Sequence, residues 1–187
     1  MKMDGLRMEF ADFEQKLKEN LAELVGQVLQ AEAHVTYIGF VTTDDFYGAF
    51  VTYNQVGEEN IWEHFEWKKG LSPDFLYQPL VDVVEKNEKI NFMEPSKEKW
   101  QFAETLIEVF REQLQQLPDA IFTRPGYDRN ELIFFMTVSD GDYMDEMMIE
   151  SVERFNSKKA ISRCLGTGWK NFKTREQLPS CLFFCLF

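Results

Sequence analysis

Leu132-Ile133-Phe134-Phe135-Met136-Thr137-Val138 is the stretch whose reading decides the fold. Its length, aromatic content and β-branched residues are those of a buried strand, and Ser139-Asp140-Gly141-Asp142 supplies turn chemistry directly after it. A helix is expected next, over Tyr143 to Phe155, and a shorter one over Ser157 to Leu165. Charge divides the chain at the same place. Glu131 to Glu153 holds seven acids and no Lys or Arg, whereas Arg154 to Arg175 holds seven bases and no acid. Two such halves either fold back and neutralise one another or present faces of opposite sign, and folding back is the expectation.

Upstream, Phe10, Phe13, Leu17, Leu21, Leu24 and Val28 recur at steps of three and four, which predicts one core-packing helix from Met8 to Ala31. His34 follows its end and reads as a surface or cap residue. Val35 to Thr42 and Ala49 to Tyr53 are rich in β-branched and aromatic residues and flank Thr43-Asp44-Asp45-Phe46-Tyr47-Gly48, which predicts a β-hairpin with a moderately long loop. Ser72-Pro73 reads as a serine-capped helix start, with Pro79 kinking or splitting the segment that follows. Pro95-Ser96 opens the cleanest helix, on which Trp100, Ala103, Ile107, Phe110, Leu114 and Leu117 share a face until Pro118 ends it. Arg124-Pro-Gly-Tyr-Asp128 is a turn-rich connection back to the strand.

This order of elements predicts an α+β domain: a small, largely antiparallel sheet packed against several amphipathic helices. A doubly wound parallel sheet fits less well, because the strands are few and no regular βα alternation exists. One domain over residues 1–187 is expected, with Pro179 to Phe187 as an apolar C-terminal tail that docks on the body or invites aggregation. Hydrophobic residues make up 44% and aromatics 15%, including 18 Phe, far from the composition of a disordered chain.

A net charge of −12 works against nucleic-acid binding, since phosphate neutralisation needs a basic surface, and favours a basic protein partner. No run approaches the ~20 apolar residues of a membrane span. Met1-Lys-Met-Asp-Gly-Leu6 lacks the apolar core of a secretory signal, so a cytoplasmic setting is expected. Cys164, Cys181 and Cys185 are odd in number and unpaired in motif, and His34 and His64 are the only histidines, which argues against a disulfide framework or a structural zinc site.

No phosphate-cradling GxxxxGK[ST], GxGxxG after a strand or nucleophile elbow GxSxG is present. Catalytic residues and cofactors are therefore not assigned. Two carboxylate groups invite a metal reading. Asp44 and Asp45 in the hairpin loop, with Asp140 at a strand end, would gather a hard cation if they converged. Strand-connecting acids, however, are commonly turn formers, and Asp142 suits a helix cap with Asp145 and Glu146 in the first turn. Glu58, Glu59, Glu63 and Glu66 interleave with Ile61, Trp62, Phe65 and Trp67, and two tryptophans beside acids suit either lid packing or an interaction surface.

Tyr37-Ile-Gly-Phe-Val-Thr-Thr-Asp-Asp45 after an amphipathic helix resembles the hairpin of the bacterial domain-of-unknown-function family 4303. Thr137-Val-Ser-Asp140, then Glu150-Ser-Val-Glu-Arg-Phe-Asn156, is similar to that family's strand ending in Asp and its helix ending in Ser and Leu-Asn. Phe75 stands where the family often has Trp, and Phe155-Asn156 replaces Leu-Asn. The resemblance implies an α+β fold, a bacterial cytosolic setting, no established catalytic residues and an association with polymorphic-toxin immunity proteins.

Two functional expectations follow. One is a non-catalytic protein-binding module, of the immunity type, that masks a basic toxin, with Trp62 and Trp67 as anchors and Glu63, Asp142, Asp145 and Glu146 as complementary charge. The other is a small-ligand or metal-dependent enzyme with a carboxylate site at Asp44, Asp45 and Asp140.

Overall fold

The computed structural model describes residues 3–32, 34–55 and 69–165. The expected anchors Trp62, Glu63 and Trp67 and the apolar tail 179–187 lie outside the described residues.

β1 (Val35–Thr42) is the middle of the architecture. It pairs antiparallel with β2 (Ala49–Gln55) and parallel with β4 (Ile133–Val138), and the short β3 (Gly70–Leu71) pairs antiparallel with β2, giving the order β3-β2-β1-β4. The fold is α+β with a mixed sheet. Its parallel pair arises because β4 returns after a long helical crossover, the connection that parallel strands require.

Every residue of β4 is buried, because helices cover both faces of the strand. Alternation sorts its side chains: Phe134, Met136 and Val138 enter the main core, while Ile133 and Phe135 pack with Met148 and Val152 of α6 (Met144–Phe155) and Ala160 of α7 (Lys158–Cys164). Along the outer side of β4 two side chains partner its backbone among the described residues. Ser151 Oγ accepts the Met136 N–H at 2.7 Å and lies 3.0 Å from the Met136 carbonyl; Asn156 accepts the Phe134 N–H at 2.8 Å and donates to its carbonyl at 2.7 Å. These two polar residues satisfy edge groups that burial would otherwise leave unpaired.

The long N-terminal helix divides into α1 (Met3–Glu9) and α2 (Ala11–Ala31). At the interruption the Phe10 ring is buried in the core, and Arg7 of α1 donates to Glu112 at 2.6 Å on α4 (Lys97–Gln115). The predicted stripe of α2 is buried as expected. Ser72 does not cap a helix; a 3₁₀ turn, Asp74–Leu76, follows, and α3 (Gln78–Lys86) begins with Pro79 in its first turn, where the missing N–H has no helical partner to lose. Ser96 caps α4 by accepting the Lys99 N–H at 3.0 Å, and Ser157 caps α7 in the same way. A single helical turn, α5 (Ala120–Thr123), lies in the connection before β4 and was not foreseen.

Between the acidic and basic stretches, among the described residues, Arg163 pairs with Glu131; the bonds of Arg154 run within α6, to Glu150 at 2.8 Å, and to Glu104 of α4 at 3.7 Å.

Candidate functional site

β1 and β4 finish side by side, Thr42 opposite Val138, and the Ser139 N–H donates to the Thr42 carbonyl at 2.7 Å. The loops that leave the two strands therefore meet. Asp44 comes from the first loop, Asp142 from the second, and Lys99 enters from the first turn of α4. Lys99 Nζ lies 3.0 Å from Asp44 Oδ1 and 3.6 Å from Asp142 Oδ2. Asp44 Oδ1 also accepts the Asp142 N–H at 3.0 Å. The Lys99 side chain has no exposed surface, while those of Asp44 and Asp142 are 30% and 37% exposed.

Local backbone geometry makes this closure possible. Gly141 has φ +90, and a Cβ there would lie 2.6 Å from Asp44 Cγ, so glycine alone lets the second loop approach. Tyr143 also adopts a left-handed conformation, φ 66, and is held by its hydroxyl, which donates to the Ser96 carbonyl at 2.9 Å. Its ring stacks obliquely on Trp100 at 5.2 Å and lies 6.0 Å from Lys99 Nζ. Burial pushes the Tyr143 phenol up, and the neighbouring acids Asp142, Glu146 and Asp44 add to the rise. The ammonium already sits between the two carboxylates, so the group is a closed clasp joining two loops to α4. A lysine nitrogen with no exposed surface, engaged on both sides, is not placed to attack a substrate.

The carboxylate site expected from Asp44, Asp45 and Asp140 is not assembled. Asp45 turns into its own loop, accepting the Thr43 hydroxyl at 2.7 Å and the Tyr47 N–H at 3.2 Å, and Asp140 accepts from Ser139 at 3.0 Å. Among the described residues no group of three or more His, Cys, Asp or Glu is placed to hold a metal ion. Asp142 is not the helix cap either: Tyr143 takes that position without a side-chain bond, because Asp142 is drawn to Lys99. Asp145 and Glu146 do occupy the first turn of α6, and Glu146 is exposed. Lys99 was missed, although a signal existed. It stands three and four residues before Phe102 and Ala103, a lone lysine in an apolar stripe.

The other side of the hairpin loop forms a groove. Phe46, buried at φ 61, anchors the loop against Phe102 at 5.2 Å and Phe92 at 6.0 Å. Gly48, at φ +99, lets the Tyr77 ring lie against the backbone, since a Cβ would meet Tyr77 Cδ2 at 2.3 Å. Tyr47 and Tyr77 consequently line one groove of about 680 Å³, together with Ala49, Phe50, Pro73 and Asp74. Their exposures are 41% and 56%, and they are two of the four large exposed hydrophobics among the described residues.

A second cavity, about 960 Å³, lies at the opposite end of β1, where His34, Tyr127, Arg163 and Cys164 line it. Several of its polar side chains are engaged within the fold. The Tyr127 hydroxyl accepts the Val35 N–H at 3.0 Å and donates to the Glu32 carbonyl at 2.9 Å, Arg163 is paired with Glu131, and burial pushes the Cys164 thiol up. His34 is exposed, as expected. No described helix is long and apolar enough to cross a membrane.

No protein-family model, no curated protein and no solved structure matches the chain.

Proposed function

We propose that this chain is a non-catalytic protein-binding module, of the immunity type, that masks a basic toxin in a bacterial cytoplasm. The observation that carries the reading is the hairpin end of the sheet, where Tyr47 and Tyr77 are exposed around one groove while the adjacent charged cluster is closed upon itself. Tyrosines present large, rigid, amphipathic surfaces and are enriched at the energetic centres of protein interfaces. The net charge of −12 supports a basic partner, because complementary fields speed encounter. The immunity assignment draws on the resemblance of the hairpin and of the Ser151 to Asn156 helix end to the domain family named above. Trp62, Glu63 and Trp67 belong to the proposed surface on sequence grounds, and Asp145 and Glu146 supply further charge. Asp142 is withdrawn from it, since its carboxylate faces Lys99.

The test is affinity capture by the tagged chain from lysate of its source cells, at low and then moderate salt, followed by co-expression with the captured protein. One basic protein that is released as salt rises, and whose toxicity the chain suppresses, is the expected result. Capture of no basic protein at either salt would overturn the reading.

A further inference from the structure

We infer that the groove between Tyr47 and Tyr77 receives an arginine side chain of the partner protein, an inference that rests on the protein-binding reading. The walls of the groove select for this chemistry. Two phenol rings border it, one fixed against Gly48, and Asp74 is the one charged residue among its described lining. No described lysine or arginine lines it to neutralise that carboxylate. Asp74 is exposed at the head of the 3₁₀ turn.

A guanidinium fits such a site better than an ammonium. It is planar, weakly hydrated and stacks on aromatic faces, while its fork of N–H donors matches a carboxylate. The apolar lining residues Ala49, Phe50 and Pro73 suit the methylene stem of the same side chain. The volume, about 680 Å³, is within the range of small-ligand clefts and admits one long side chain with its flanking backbone. The loop is held in shape from behind: Asp45 fixes the Tyr47 N–H, Phe46 is buried, and Asp44 is tied to Lys99. The groove is thus formed before any partner arrives, which lowers the ordering cost of binding.

The experiment has two arms. In the first, 3-fluorotyrosine is placed at position 47 or 77, and the fluorine resonances are followed while N-acetyl-arginine methylamide, or its uncharged citrulline counterpart, is added at millimolar concentrations. Both resonances should move with the arginine probe, with affinity at least about fivefold above that for citrulline, and the difference should vanish in Asp74→Asn. No movement, or equal movement with citrulline, overturns the inference. In the second arm, the protein captured by the unaltered chain is offered to Tyr77→Ala and Asp74→Asn, each checked for an unchanged melting temperature. Binding weaker by at least about tenfold is expected. Undiminished binding overturns the groove assignment and leaves the module reading standing, whereas an arginine-specific shift in a chain that captures no partner overturns the module reading alone.

Discussion

Asp44→Ala is the substitution that tests the clasp. It removes an oxygen that accepts from both Lys99 Nζ and the Asp142 N–H, each at 3.0 Å. The ammonium, with no exposed surface, then keeps, among the described residues, the Asp142 carboxylate at 3.6 Å. Breaking a buried ion pair from one side costs about 3–5 kcal/mol, because the remaining charge stays desolvated. Against a total stability of about 5–15 kcal/mol that loss is severe. For a chain of this size it lowers the melting temperature by roughly 6–20 °C. Lys99→Met should cost less, about 1–3 kcal/mol, since the two carboxylates it abandons are partly exposed and can take up water. The double variant Asp44→Ala with Lys99→Met should be more stable than the sum of the single losses by at least about 1 kcal/mol. Urea unfolding with linear extrapolation measures all of these. An Asp44→Ala protein within about 1 kcal/mol of the unaltered chain, or strictly additive losses in the double variant, would refute the clasp.

Ser151→Ala and Asn156→Ala should each cost about 1–3 kcal/mol in urea unfolding, because backbone groups of Met136 or Phe134 on the buried edge of β4 lose their partners. Alkali should weaken the fold. Burial is the main cause raising the phenols of Tyr37 and Tyr143 above their ordinary value of 10.0, so this contribution is fully present below that value and is lost as pH rises through the raised ones. Urea midpoints should therefore fall between about pH 9 and about pH 11, with a shallower fall in Tyr143→Phe; a midpoint that holds or rises in alkali contradicts this. Reversal of Asp145 and Glu146 to Lys should slow association with the basic partner in low salt and cost about 0.3–1 kcal/mol each through the helix dipole. Adding Asp142→Lys should unfold much of the population, since it sets a second cation beside Lys99.

Periodic patterns in the sequence were enough for most of the scaffold. Phe13, Leu17, Leu21, Leu24 and Val28 are buried as their spacing requires, Ser96 and Ser157 cap where they were read to cap or open helices, and β4 is the buried strand. Misreadings fell where tertiary contact decides. The interruption between α1 and α2 at Phe10 has no glycine or proline beside it to announce it, and Asp142 pairs with a cation 43 residues away in sequence (142 − 99) instead of capping α6. The parallel partner of β1 was illegible because strand pairing across a long helical crossover leaves no local trace. The Tyr47–Tyr77 groove was missed for the same reason: it joins a hairpin loop to a helix start, and neither half carries a motif, whereas Lys99 did leave a trace as a lysine in the apolar stripe of α4. The roles of Ser151 and Asn156 became visible only once β4 was seen to be an edge.

The most direct test of the central claim is photocrosslinking in the source cells, with benzoylphenylalanine at position 77 and, outside the groove, at the exposed Met8. The account predicts one basic protein joined to position 77 and absent from position 8. Crosslinks that are the same at both positions, or that carry no basic protein at position 77, would contradict it.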